Sequence, residues 1–137
     1  MIKANELRIG NYVLQSVYLN GRCNEVRTVT AIRSEGSLNV KVNYGNTMKS
    51  LPSEWFEPIH LTERWLINLG FAPLSESDHG VRISVNSADE LCWSRHDEDL
   101  RYQTKGSGFT RNYGIKYVHQ LQNLYFALTG KELEVKS

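Results

Sequence analysis

The sequence predicts an α+β fold in two parts, a small all-β part over residues 1–60 and an α-β-β-β-α unit over residues 61–137. In the first sixty residues, short segments that alternate apolar with polar side chains recur between Gly and Asn turns. The rest of the chain begins and ends with a segment of helical periodicity. A length of 137 residues suits one ordinary domain or two very small ones.

The alternating segments of the first part predict β-strands. Val26–Arg33 and Leu38–Tyr44 alternate residue by residue, and Asn20-Gly21 is a strong turn signal ahead of them. A sheet of such short strands exposes its edges unless it closes on itself. The segment order therefore predicts an SH3-like small β-barrel.

The second part starts with a predicted helix in Leu61–Phe71. Thr62 is a good N-cap residue, and Gly70 is the expected left-handed stop. After a polar, linker-like stretch, three strand patterns predict an antiparallel β-meander, and a short fourth strand is left open in the segment FTRNY. The three patterns are Val81–Asn86, Leu91–Arg95 and Leu100–Thr104.

The last predicted element is a helix over Ile115–Gly130, with two stripes of side chains. The first is a dense apolar face made of Tyr117, Val118, Leu121, Leu124, Tyr125 and Leu128. The second follows steps of 4, 3 and 4 residues and consists of Ile115, His119, Gln122 and Phe126. Because Phe126 has little use in water, either the first part of the chain or another molecule covers this second stripe. The four residues are therefore a candidate interface.

Three blocks of the chain carry a resemblance to a known set of proteins. They are a GNYV start at Gly10–Val13, a middle block at Pro58–Phe71 with LTERWLINLGF, and KYVHQLQNLYFALTG at Lys116–Gly130. In that order they resemble short uncharacterised proteins of gut-bacterial genomes and their phages. The resemblance implies a phage or mobile-element setting, and it implies no activity and no catalytic residue.

Composition limits the classes of function. The formal net charge is +1, so the molecule as a whole has no electrostatic bias toward nucleic acid. The two cysteines, Cys23 and Cys92, form no CxxC pair and are expected to be free thiols. With no apolar leader and no run of 18 apolar residues, the sequence predicts a cytoplasmic protein without membrane contact.

Motifs for catalysis and metal binding are weak. The four histidines have no HxH, HxxxH or HExxH spacing, and the acidic run His96–Asp99 is typical of a solvated turn. No nucleophile–histidine arrangement is visible, and the glycines of Thr104–Thr110 lack the phosphate-loop pattern. We therefore expect no enzyme activity, no cofactor and no metal.

A basic and aromatic segment is the best functional lead. No acidic residue occurs from Leu100 to Gly130, and cations alternate there with aromatic side chains, a combination that suits phosphates and stacked bases. The same side chains are also compatible with ordinary core and surface positions. The candidate binding residues are Arg101, Lys105, Arg111, Tyr113 and Lys116.

Two hypotheses follow for the function. The first is a non-enzymatic binding or adaptor protein of phage or mobile-element origin, acting through protein–protein contacts. The alternative is binding of nucleic acid or a phosphorylated small ligand through residues 101–117, for example as a phage counter-defence protein. The identity of the partner and the formation of homo-oligomers stay open.

Overall fold

The computed structural model describes residues 6–18, 21–32, 37–41, 48–52, 55–73, 80–104 and 110–136. Over these residues the chain is α+β, with two five-stranded antiparallel sheets and two helices, which confirms the predicted fold class. The chain divides into two compact units. The first comprises residues 1–59 and 117–119, and the second comprises residues 60–116 and 120–137.

The sheet of the first unit has neighbouring strands that all run antiparallel, in the order β4-β3-β2-β1-β5. Register shifts between Gln15 and Val17 and between Val29 and Ala31 mark bulges, which increase the local twist. Within the described residues the order is open, with β4 and β5 at its ends, and no closed barrel is found. The strands are β1 (Tyr12–Tyr18), β2 (Gly21–Ile32), β3 (Ser37–Lys41), β4 (Met48–Pro52) and β5 (Phe56–Glu57).

The buried residues of the first unit include Val13, Val29 and Phe56, each 0% exposed. A buried amide accompanies them, because the side-chain oxygen of Gln15 accepts a hydrogen bond from Nε of Arg27 at 2.9 Å. This bond keeps a polar side chain satisfied inside the unit, as burial of an amide requires.

The second unit opens with helix α1 (Glu63–Asn68). Its N-cap is Thr62, as predicted, and the Thr62 side chain accepts a hydrogen bond from the backbone N–H of Trp65 at 3.2 Å. The chain leaves the helix at Gly70, whose φ of 106° favours glycine, and Phe71 is buried directly after it. The predicted start and stop of this helix are therefore confirmed.

The sheet of the second unit has the strand order β10-β9-β8-β7-β6. Pairs Val81↔Trp93 and Trp93↔Leu100 place apolar side chains of three strands side by side, and all three residues are buried. The predicted meander is therefore confirmed, and β6 is an addition to it. The strands are β6 (Ala72–Pro73), β7 (Gly80–Ser84), β8 (Asp89–Ser94), β9 (Leu100–Thr104) and β10 (Thr110–Asn112).

The last helix, α2, spans Val118–Thr129 and so begins three residues later than the predicted Ile115. Gly114 has a φ of 71°, outside the helical region. The backbone N–H of Lys116 donates to Oε1 of Gln120 at 2.9 Å, so a side chain satisfies an N–H ahead of the first turn. The helix ends before Gly130, which has a φ of 74°.

Candidate functional site

Two strands of the second sheet bring an arginine and two tyrosines together. Arg111 of β10 lies opposite Tyr102 of β9 in the ladder. The ring of Tyr113 meets Tyr102 edge-on, with centroids 6.3 Å apart and planes at 90°. The guanidinium carbon of Arg111 lies 5.9 Å from the centroid of Tyr113. We call these three residues the Arg111–Tyr113 patch, and its geometry suits edge-to-face and cation–π attraction.

Tyr102 is anchored by Asp89, the first residue of β8. Its hydroxyl donates a hydrogen bond to a carboxylate oxygen of Asp89. Asp89 is itself held by the side chain of Asn86, which donates to Asp89 Oδ2 at 3.1 Å and accepts from the Asp89 backbone N–H at 2.8 Å. The bond to Asp89 is the main cause of a raised pKa for Tyr102, so this hydroxyl stays protonated at neutral pH.

The outer part of the patch faces solvent. Tyr113 is 40% exposed, and all three residues of β10 are exposed. In the part of the chain that the structure describes, β10 is the terminal strand on its side of the sheet. The patch therefore lies at an accessible sheet edge.

Arg101 lies outside this patch, because successive side chains of a strand point to opposite faces. Its guanidinium contacts two carboxylates, Asp97 at 3.8 Å and Asp99 at 3.4 Å. The second oxygen of Asp99 accepts a hydrogen bond from the amide of Asn112 at 3.1 Å. Two acids therefore surround the Arg101 cation, which makes it a poor anchor for a phosphate.

A cavity of about 220 Å³ opens beside these charges. Cys92 is a free cysteine. Burial together with nearby Glu90 raises the pKa of its thiol to about 11. A thiol with so high a pKa stays protonated at neutral pH and is a poor nucleophile. The cavity is lined by Cys92, Trp93, Ser94, Asp97, Asp99, Arg101 and Gln103.

A buried carboxylate, that of Glu90, lies on the same face of the sheet as the side chain of Cys92. Glu90 is 4% exposed, its Oε1 accepts a hydrogen bond from Gln103 at 3.0 Å, and its Oε2 lies 3.7 Å from Arg82. The ladder places Gln103 directly opposite Glu90. Sequence reasoning missed this pairing, because Gln103 lies on another strand, thirteen residues from Glu90 along the chain. The arrangement stabilises a buried charge and leaves no second carboxylate opposite it for acid–base work.

The remaining predicted binding residues are distributed as follows. Lys105 lies outside the residues that the structure describes. Lys116 is exposed, and its backbone carbonyl accepts a hydrogen bond from Leu61 at 2.9 Å. The structure therefore brings together Arg111 and Tyr113 and places Arg101 on the other face. It adds Tyr102, an aromatic residue of the basic segment that was not among the candidate binding residues.

The predicted second stripe of α2 is not one exposed surface. His119 is 1% exposed and Gln122 is 0% exposed, whereas Phe126 is 39% exposed. Ile115 is half-buried and precedes the helix. The amide of Gln122 donates to the backbone carbonyl of Leu133 at 3.1 Å, so this residue serves the chain's own packing. The interface hypothesis therefore loses His119 and Gln122.

No cluster of three or more potential metal ligands occurs among the described residues. None of the described helices is long and apolar enough to cross a membrane. No protein-family model, curated protein or solved structure matches this chain.

Proposed function

We propose that the protein is a non-enzymatic binding protein that acts through protein–protein contacts, with the Arg111–Tyr113 patch as part of its contact surface. One observation carries the proposal. An exposed Tyr113 is flanked by the guanidinium of Arg111 and packs edge-on against Tyr102, which Asp89 holds in place.

Such a patch has the chemistry of a protein-binding hot spot. Tyr and Arg are enriched among the residues that contribute most to protein–protein affinity. Tyrosine offers a large contact area with few rotatable bonds, and a ring already held by its neighbours loses little entropy on binding. The hydrogen bond from Tyr102 to Asp89 fixes the base of the patch in this way.

The alternative, binding of nucleic acid or a phosphorylated small ligand, draws on the same contact of Arg111 with Tyr113, since bases stack on aromatic rings. The local charge weighs against it. In the described residues 80–104 and 110–116 the cations and the carboxylates are equal in number, so phosphate attraction is weak there. The cations are Arg82, Arg95, Arg101, Arg111 and Lys116, and the acids are Asp89, Glu90, Asp97, Glu98 and Asp99.

The experiment compares proteins captured from the organism's own lysate by wild type, by the patch variants Arg111→Glu and Tyr113→Ala, and by the control variants Arg64→Glu and Ile67→Ala. The control residues are exposed on α1. We expect a partner that wild type and both controls retain and both patch variants lose, at unchanged thermal stability. A partner captured equally by all five proteins would overturn the assignment of the patch.

A second measurement tests the alternative. A labelled single-stranded oligonucleotide is titrated at about 50 mM and about 200 mM salt, a range over which phosphate contacts weaken strongly. We expect no binding at either concentration. Binding at low salt that weakens with salt and is lost in Arg111→Glu would establish the nucleic-acid function in place of the protein-binding one.

We also propose that the first unit is an SH3-like barrel and that the protein comes from a phage or mobile element. Support for the barrel is the return of β5 to pair with β1 after a 3-10 turn at Trp55, while β1 to β4 follow one another as a meander. Backbone NOEs that connect the two ends of this sheet in solution would establish closure. Their absence in a fully assigned spectrum would show an open sheet. The phage setting is supported by the three sequence blocks alone.

A further inference from the structure

His119 is a buried histidine whose ring nitrogens are unsatisfied. The side chain is 1% exposed, and within the described part of the chain neither Nδ1 nor Nε2 has a hydrogen-bond partner. Buried polar atoms are almost always paired, so a ring left in this state has a cost that other interactions must offset. The proposed contact surface makes no use of this residue.

The surroundings of the ring are aromatic on one side and acidic on another. Tyr117 stacks on it, with centroids 5.9 Å apart and planes at 10°. Nε2 lies 3.9 Å from a carboxylate oxygen of Glu6, which is 49% exposed. The next residue, Val118, donates its backbone N–H to the carbonyl of Ile59 at 2.8 Å. All five residues belong to the first unit.

Two opposing effects act on a proton at this ring. Burial penalises the imidazolium form and lowers the pKa of His119, whereas the carboxylate of Glu6 raises it. Burial is the larger effect, so the pKa lies below the ordinary value and the ring is neutral at physiological pH. Among the described residues, Glu6 is the charged group whose field acts on the ring. The distance of 3.9 Å between Nε2 of His119 and the carboxylate oxygen of Glu6 is too long for a strong hydrogen bond from an imidazolium.

We propose that His119 is a pH-sensitive latch, in which protonation of the buried ring loosens the packing of Tyr117–His119 within the first unit when the surroundings become mildly acidic. The device needs no bound ligand. It rests on burial, the two unpaired nitrogens and the position of Glu6, and it stands apart from the proposed binding function.

The sign of the pH dependence follows from proton linkage. The unfolded chain binds a proton on this histidine at about pH 6.5, whereas the folded chain binds it only at lower pH. The stabilising contribution of the neutral ring is therefore complete above about pH 6.5 and is lost as the pH falls from there through the folded-state pKa. In that window the unfolding constant rises by up to about tenfold per pH unit.

The test measures the unfolding constant by chemical denaturation between about pH 8 and pH 5, in wild type, His119→Gln and the control His96→Gln. His96 is exposed. We expect wild type and His96→Gln to lose stability together toward acid, and His119→Gln to lose less over the same range. The protection factor of the Val118 amide, which is the ratio of its intrinsic to its observed exchange rate by NMR, should fall toward acid in wild type as a local readout. An identical acid slope in all three proteins would overturn the latch.

If His119→Gln does not fold, the ring of wild-type His119 is titrated by NMR instead, next to Glu6→Gln. We expect the wild-type ring to titrate below the pH of a free histidine. Because removal of the Glu6 charge takes away the effect that raises the pKa, the ring should titrate lower still in Glu6→Gln. A ring that titrates at or above the pH of a free histidine would show that acid strengthens a His119–Glu6 ion pair, which is the opposite of a latch.

Discussion

The side-chain amide of Gln122 donates a hydrogen bond to the backbone carbonyl of Leu133 at 3.1 Å, and both residues are buried. Helix α2 therefore holds the segment that follows it. The same segment is tied to the end of α1, because the backbone N–H of Lys136 donates to the carbonyl of Asn68 at 2.8 Å. Two hydrogen bonds and one buried leucine thus fix residues 131–136 within the second unit.

Replacing Gln122 with Ala should destabilise the protein by about 1–3 kcal/mol, because the buried carbonyl of Leu133 loses its donor. Residues 131–136 should become more accessible to protease in the same variant. Denaturant unfolding measures the first effect, and limited proteolysis with mass spectrometry measures the second. Glu134→Ala, at an exposed position of the same segment, should change stability by less than about 0.5 kcal/mol. Equal stability of the two variants would contradict the role given to Gln122.

Shortening two adjacent side chains of α1 should reduce the free energy of unfolding by very different amounts. Leu66 is 0% exposed and Ile67 is 47% exposed. Leu66→Ala should cost about 2–5 kcal/mol through lost burial and the cavity it leaves, whereas Ile67→Ala should cost less than about 1 kcal/mol. The unfolding free energies of both variants, measured in urea, check this. Similar losses would mean that α1 presents a different face from the one described.

Substitution of two glycines by Ala should destabilise the protein, for a different reason at each position. A Cβ at Gly80 would lie 1.9 Å from the backbone carbonyl oxygen of Trp93, so β7 would have to move away from β8. A Cβ at Gly130 meets nothing within 4 Å, but its φ of 74° disfavours a side chain. We expect Gly80→Ala to lower the free energy of unfolding by about 3 kcal/mol or more, and Gly130→Ala to lower it by about 1–2 kcal/mol. Thermal unfolding of both variants shows which substitution is the more destabilising. A larger loss for Gly130→Ala than for Gly80→Ala would contradict this prediction.

The bounds of helices and strands were predicted best where local sequence signals and burial agree. Strand β9 has the predicted bounds, Leu100–Thr104, because turn-prone residues flank a clean alternation. Thr62 and Gly70 delimit the first helix for equally local reasons, one through a side-chain acceptor and the other through its backbone freedom. The closure of the first sheet depends on distant pairing, and it stays a prediction.

The faces of α2 were harder to predict. Periodicity placed Tyr125 and Leu128 on the buried face, yet they are half-buried, while His119 and Gln122 are fully buried. The partner of Gln122 is a backbone carbonyl eleven residues away, and no side-chain pattern encodes that acceptor. Hydrophobicity alone ranks a buried amide as surface, so this error follows from the rule itself.

The candidate binding segment was only partly readable for a related reason. The absence of acids after Leu100 suggested an unneutralised basic surface, but the acids that contact Arg101 precede that point in the chain. Likewise, the anchor of Tyr102 is Asp89, thirteen residues earlier. Charge balance at a sheet is set by neighbouring strands, and a window along one segment does not contain it.

The bond between Tyr102 and Asp89 predicts a pH-dependent difference that can be measured directly. Because the carboxylate is the main cause of the raised pKa of Tyr102, Asp89→Asn should let Tyr102 ionise at lower pH than in wild type. The stabilisation that this bond supplies is complete below about pH 10 and is lost as the pH rises through the folded-state pKa. NMR of ¹³Cζ-labelled tyrosine follows the ionisation, with Asp97→Asn as the control, since Asp97 contacts Arg101. If Tyr102 ionised at the same pH in both variants, Asp89 would not be the group that anchors the patch.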